Sequence, residues 1–188
     1  MAHVCPWWFC YTFDNPLRRL VHDPHAMLAP WVRPGATCLD LGCGMGYFTI
    51  GLARLAAPNG RVVAVDLQEK MLERVSRRAA KAGVGGLVRP RQCGADSLGV
   101  AHLAGAVDFA LAFWMLHEVP DVAGFLGQVL VTMGPSGRFL VTEPRFHVDA
   151  KAFAQELALA EARGWRVAER PEIWGSHAAL LGPAGPAA

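Results

Sequence analysis

Leu39-Asp40-Leu41-Gly42-Cys43-Gly44-Met45-Gly46-Tyr47-Phe48-Thr49 is the stretch that decides how this chain folds. An apolar run of strand length, Ala36–Leu41, enters three alternate glycines and leaves as a segment, Tyr47–Ala57, whose apolar residues recur at helical spacing. Glycine tolerates the sharp turn that joins a strand to a helix and lets a ligand approach the backbone closely. The unpaired N–H groups of the first helical turn face the same spot, so a strand, glycine turn and helix in this order make a binding loop.

Outward from that loop the chain alternates short apolar runs with longer helical patterns, which predicts a parallel sheet covered by helices. Pro58-Asn59-Gly60 ends the first helix, and Arg61–Asp66 reads as a second strand. Gln68–Ala82 carries Met71, Leu72, Val75 and Ala79 on one face, a Glu73 to Arg77 charge pair, and Gly83 as its C-cap. Leu87–Gln92 is a third strand whose Pro90 suits a sheet edge, and Val107–Phe113 is a continuous apolar strand. A helix over Asp121–Met133 with Asp121 as N-cap, a strand over Gly137–Thr142 and a helix over Ala150–Arg163 follow. Trp165–Glu169 and His177–Leu181 read as a closing hairpin. The fold class is therefore α/β, a Rossmann-like doubly wound sheet of seven strands, mostly parallel with an antiparallel last strand.

The regions divide into an N-terminal arm or lid over 1–34, a main domain over 35–182 and a disordered tail over 183–188, with fraying from Gly182. The arm offers one short helical candidate, Pro16–Val21. Its Trp7, Trp8, Phe9, Tyr11 and Phe13 carry too much aromatic surface to stay in water, so the arm is expected to fold over the sheet or against a second copy as a homodimer.

Length and composition narrow the function classes. The 188 residues suit one domain, and 53% hydrophobic against 18% charged side chains excludes a disordered chain. A formal charge of +2 lacks the clustered excess of a nucleic-acid binder. No apolar run is long enough to span a membrane, and the apolar start lacks a basic leader and a cleavage site, so the expected location is cytoplasmic. Five scattered cysteines do not form a disulfide framework.

The glycine motif has a specific register. A dinucleotide fingerprint needs Gly-x-Gly-x-x-Gly, and Tyr47 stands where its third glycine belongs, so the register is wrong for NAD. Asp40, two residues before the first glycine, would repel a pyrophosphate; it orders the loop or, directly or through water, meets a cationic amino group. Asp66 ends the second strand with a carboxylate placed for the two hydroxyls of a ribose.

On these residues the sequence resembles the class I S-adenosylmethionine-dependent methyltransferases, whose first motif is an acidic residue followed by Gly-x-Gly-x-Gly. Asp40-Leu-Gly-Cys-Gly-Met-Gly46, Ala64-Val65-Asp66-Leu67, Gly94-Ala95-Asp96 and Val107-Asp108-Phe109 through Leu116-His117-Glu118-Val119 carry the resemblance. Leu116-His117-Glu118-Val119-Pro120-Asp121 and Gly137–Pro144 look like the small-molecule branch that includes the ubiquinone and menaquinone biosynthesis methyltransferases. The resemblance implies S-adenosylmethionine as cofactor, with Gly42, Gly44 and Gly46 toward its methionine moiety and Asp66 on the ribose. By the same resemblance Leu67 lies on the adenine face, Ala95 and Asp96 lie at the adenine with Asp96 on its amino group, and Phe113 lines the substrate side.

Ligands of open α/β sheets bind at the carboxyl ends of the strands, which selects Trp114–Glu118, Glu143–His147 and the Arg170–His177 connection. His117, His147 and His177 are expected there. For a phenol or enol acceptor, His117 or His147 is the candidate base; the alternative is that these histidines cap helices or bond the backbone. Cys5 and Cys10, flanked by His3, His22 and His25, read either as two buried small hydrophobes or as ligands of a soft metal or metalloid. The Cys-x4-Cys spacing is looser than that of structural zinc sites, and no metal is assigned. The leading function is methyl transfer to a small, apolar molecule. A protein, tRNA or metalloid thiolate acceptor, or a non-catalytic cofactor- or metal-binding protein, are the alternatives.

Overall fold

Seven strands share one sheet in the order β3-β2-β1-β4-β5-β7-β6, in a computed structural model that describes residues 18–185. They are β1 (Thr37–Leu41), β2 (Arg61–Asp66), β3 (Val88–Gln92), β4 (Val107–Phe113), β5 (Met133–Pro144), β6 (Trp165–Glu169) and β7 (Ser176–Pro183). The helices are α1 (Arg18–Val21), α2 (Pro24–Leu28), α3 (Tyr47–Ala56), α4 (Glu69–Lys81), α5 (Val122–Thr132) and α6 (Ala150–Ala162). β1 to β5 run parallel, and β7 is antiparallel to both β5 and β6, so the expected hairpin forms and inserts its second strand beside β5.

The strand interiors are buried on both faces, which is why they read as continuous apolar runs rather than alternating ones. Cys38, Phe109, Leu111 and Leu140 point to the face covered by α2, α3 and α4, where Leu52, Val75 and Ala79 meet them. Leu39, Leu41, Ala110, Phe139 and Val141 point to the face covered by α5 and α6 through Leu126, Val129, Phe153 and Leu157. Pro90 sits in the edge strand β3, opposite Ala64, where a missing N–H toward solvent costs no ladder bond. Gly83 takes φ +73° at the end of α4, and Glu73 and Arg77 pair at 2.9 Å.

Three expectations are corrected. The arm has a second short helix, α2, because Asp23 caps it by accepting the His25 N–H at 2.8 Å and Pro24 supplies the preset φ of its first turn. β5 begins at Met133 rather than Gly137, since Met133 pairs with Val107 before an irregularity absorbs the intervening residues. β7 continues past Leu181, because Gly182 and Pro183 pair with Arg166 and Trp165. Cys5, Cys10, His3 and the aromatic residues before position 18 lie outside the described residues, so the metal reading of the arm does too. Among the described residues no helix is long and apolar enough to cross a membrane, and no cluster of three or more His, Cys, Asp or Glu is placed to hold a metal.

Candidate functional site

The glycine loop between β1 and α3 is built as its sequence requires. Gly42, Gly44 and Gly46 have φ of +63°, +52° and +82°, the left-handed region that side chains avoid. Gly42 packs against Met115, whose Cγ would lie 2.9 Å from an added Cβ, whereas no atom lies within 4 Å of the corresponding position at Gly44. The loop thus rests on Met115 at one end and opens at Gly44. Two tethers fix it: the Cys43 N–H donates to the Val65 carbonyl at 3.0 Å, and the Gly44 N–H donates to Asp66 Oδ2 at 2.9 Å.

Asp66 therefore joins the ends of two strands. Its Oδ1 accepts the Gln68 N–H at 2.9 Å, so both carboxylate oxygens are held by backbone donors, with lone pairs left for a ligand's hydroxyls. Burial pushes its pKa up, while the Gln68 and Gly44 N–H groups pull it back. Leu67, the next residue, is 40% exposed and anchored through its carbonyl, which accepts Gln92 Nε2 at 3.1 Å. An exposed apolar side chain beside a fixed carboxylate suits the flat face of a base next to a sugar.

Asp40 is in a different place from a ligand-facing residue. It is 2% exposed and accepts the Thr49 hydroxyl at 2.5 Å, so it ties β1 to α3 beneath the loop. Burial drives its carboxyl up to about 7, against the Thr49 hydrogen bond and the Arg18 charge and with the Asp66 charge. The Thr49 hydrogen bond is a contact that orders the loop's two flanks. Ala95 and Asp96 are exposed in a tight turn closed by the Gly94 N–H donating to the Ser97 carbonyl at 2.9 Å. Gln128 of α5 brackets that turn, donating to the Asp96 carbonyl and accepting the Leu98 N–H. Phe113 is 8% exposed, with its ring against Phe48 at 4.3 Å and His22 at 5.1 Å.

Beyond β4 the chain is strained. Trp114 has φ +58°, the one positive φ outside glycine among the described residues. It is held there by its N–H donating to the Thr142 carbonyl at 2.9 Å and its indole N–H donating to Ser176 Oγ at 2.8 Å. Strain of this kind persists where surrounding contacts over-determine it, and here it aims an aromatic ring over the strand ends. The Arg18 guanidinium lies over the rings of Tyr47, Phe48, Phe113 and Trp114, at 4.6 to 5.9 Å from their centroids.

The same edge brings His117 and His147 together, ring centroids 4.7 Å apart. His177 instead stacks on Phe153 at 5.6 Å and does not join them. His117 Nδ1 is hydrogen-bonded to Glu143 Oε2, and Glu143 Oε1 accepts the Leu116 N–H at 2.8 Å. Burial lowers the His117 pKa, but the hydrogen bond and charge of Glu143 outweigh it, helped by Glu118 and Glu156, and the net shift is upward. His22, expected in a cysteine arm, is buried; its Nε2 meets the Trp174 carbonyl at 2.9 Å, pinning the β6–β7 connection to the arm.

Sequence reasoning selected Glu143–His147 as a strand end but gave Glu143 no role. It also missed Thr49, Gln128 and Glu156. Only Glu143 had a signal, its position at the carboxyl end of a strand; the others lie on helices whose facing partner depends on the assembled layers.

The chain matches the family model described as a methyltransferase domain over residues 33–177. Nocamycin O-methyltransferase of Saccharothrix syringae is 32% identical over 132 residues, 70% of this chain and 44% of that protein. Demethylmenaquinone methyltransferase of Symbiobacterium thermophilum is 32% identical over 111 residues, 59% of this chain and 43% of that protein. The chain thus spans less than half the length of these curated relatives. A solved structure from Aquifex aeolicus, described as a SAM dependent methyltransferase, superposes with a TM-score of 0.83 at 21% identity, covering 95% of this chain and 98% of that one.

Proposed function

Because this chain belongs to the methyltransferase domain family, we propose that it transfers the methyl group of S-adenosylmethionine to a small, largely apolar molecule. The observation that carries this reading is the left-handed glycine loop, open at Gly44 and tied through the Gly44 N–H to the Asp66 carboxylate at 2.9 Å. The donor and acceptor set fits the cofactor. Asp66 keeps lone pairs for the ribose, Leu67 offers an apolar face to the adenine, the exposed Ala95–Asp96 turn borders it, and the loop leaves room for the methionine moiety.

The bound cofactor supplies an electrophilic methyl group on a positively charged sulfur. The chain's own contribution is to hold the acceptor in line with that methyl and exclude water, since alignment in a dry site lowers the barrier of a displacement. The rim for the acceptor is aromatic. Trp114 meets Phe146 at 5.6 Å, and Phe146 and Trp174 expose 72% and 68% of their surfaces. Exposed aromatic surface at the mouth of a site supports an apolar acceptor. His117 and His147 stand beside this rim as the groups able to accept a proton, and Arg18 and His22 pack against Trp114.

Calorimetric titration of the protein with S-adenosylmethionine and S-adenosylhomocysteine, with NAD as control, tests the reading. Micromolar binding of the first two alone is expected. Absence of heat with both overturns it.

A further inference from the structure

Glu143 is the most deeply buried carboxylate among the described residues, and the cofactor-binding reading gives it no role. It is fully buried at the end of β5, and both of its oxygens are committed: Oε1 accepts the Leu116 N–H at 2.8 Å and Oε2 is hydrogen-bonded to His117 Nδ1. Burying a carboxylate is unfavourable unless it is bonded on every side, and breaking one partner leaves an uncompensated charge. A carboxylate on Nδ1 also selects one tautomer. In the neutral ring this puts the proton on Nδ1 and leaves Nε2 with its lone pair.

A second carboxyl stands behind the first. Glu156 of α6 lies within electrostatic reach of Glu143 and His117, and its Oε2 is buried without a hydrogen-bond partner. Burial, then the Glu143 charge, raises its pKa to about 7, while His117 lowers it. Protonated, Glu156 spares the cluster a second negative charge. The groups facing His117 are thus Glu118 on its own turn, His147 after β5, Glu143 on β5 and Glu156 on α6.

We infer that Glu143 is a positioning residue that orients His117 as the base for a hydroxyl on a flat, unsaturated acceptor, a phenol or an enol. This rests on the methyltransferase reading and names its substrate class. A thiolate or another acceptor already ionised at neutral pH has no proton to give, and an oriented imidazole would do nothing for it. A hydroxyl does. As the acceptor oxygen bonds to the methyl carbon, the carbon–sulfur bond breaks with its electron pair staying on sulfur, and the hydroxyl proton passes to His117 Nε2. The resulting imidazolium is stabilised by Glu143 through the existing Nδ1–H contact. Phe146, the residue before His147, meets Trp114 edge to face at 5.6 Å, and this aromatic pair offers apolar surface to a planar acceptor.

Histidine-selective nitrogen NMR on the full chain, in parallel with optical titration of 4-nitrophenol, tests the pair. The parent protein is expected to show neutral His117 with its proton on Nδ1 and a titration midpoint above the ordinary value of about 6.5. Glu143→Gln is expected to lower that midpoint by about one pH unit or more, while S-adenosylhomocysteine binding stays within twofold. With S-adenosylhomocysteine present, the parent is expected to bind 4-nitrophenol as its coloured anion at a pH where the free phenol is mostly neutral, and His117→Gln to abolish this. A proton on Nε2 in the parent, which needs no variant to observe, overturns the positioning role, as does an unchanged midpoint in Glu143→Gln. Failure of the parent to ionise or bind 4-nitrophenol overturns the hydroxyl acceptor. Failure to bind S-adenosylhomocysteine overturns the methyltransferase reading instead, and that result is independent of the tautomer.

Discussion

The Gly44 amide donates to Asp66 Oδ2 at 2.9 Å, so the carboxylate that closes β2 also holds the open end of the glycine loop leaving β1. The two residues are 22 apart in sequence but neighbours at the carboxyl ends of adjacent strands, because Leu41 and Val65 pair in parallel register. One side chain thereby sets the loop's shape and, in the proposed function, keeps lone pairs for the ribose hydroxyls.

Asp66→Ala removes both functions at once. The expected loss is about 1.5–3 kcal/mol of charge-assisted hydrogen bonding, a tenfold to hundredfold weaker affinity for S-adenosylhomocysteine. Calorimetric titration of parent and variant reads it directly.

The glycines of the loop and of the turn before β2 are expected to separate stability from binding. An added Cβ at Gly60 would lie 2.5 Å from the Ala56 carbonyl oxygen and 2.6 Å from that of Ala36, both backbone atoms. At Gly44 it would meet open space, with only the left-handed φ against it, a cost of about 1–2 kcal/mol. Gly60→Ala should therefore unfold at lower urea than Gly44→Ala. Gly44→Ala should show the larger fall in S-adenosylhomocysteine affinity, because its methyl occupies the open space that the proposed function gives to the cofactor.

Asp40 makes stability depend on pH in a defined direction. Its folded carboxyl titrates at about 7, whereas the unfolded chain ionises near 3.9, so the native state binds more protons between these values. Stability contributed by the protonated form is complete below about pH 4 and is lost as pH rises through 7. Glu156, also raised to about 7, has the same sign. Asp40→Asn keeps an oxygen for the Thr49 hydroxyl and has no charge to bury, so its urea midpoint should fall less than the parent's between pH 5 and pH 8.

Trp114 offers a test of backbone strain. At φ +58° an alanine keeps the strain and loses the ring, whereas a glycine loses the ring and the strain together. Trp114→Gly is expected to be about 1 kcal/mol more stable than Trp114→Ala despite the greater freedom of its unfolded chain. Equilibrium urea unfolding of the two variants decides it.

The layer architecture was readable because each of its signals is local. Continuous apolar strands, helical spacing in Met71, Leu72, Val75 and Ala79, and the turn chemistry at Gly42–Gly46 each act within about a dozen residues. Asp121 caps α5 as read, accepting the Gly124 N–H at 2.9 Å. The cap Asp23 with Pro24, which starts α2, is an equally local signal.

What the amino-acid order determined by itself, then, was the strand–loop–helix units, their wrapping into a seven-stranded sheet, and the glycine loop with Asp66 at its edge, since these follow from short-range sterics and apolar periodicity. Tertiary structure alone decided which polar side chains from different elements meet. Thr49 reaches Asp40 because α3 lies back on β1, and Glu143 reaches His117 because β4 and β5 end side by side and His117 lies in the short 3-10 turn, Leu116–Glu118, that follows β4. Neither pairing has a sequence signature, because a hydrogen bond depends on distances of a few ångströms between separately folded elements, and those distances exist only once the layers have packed.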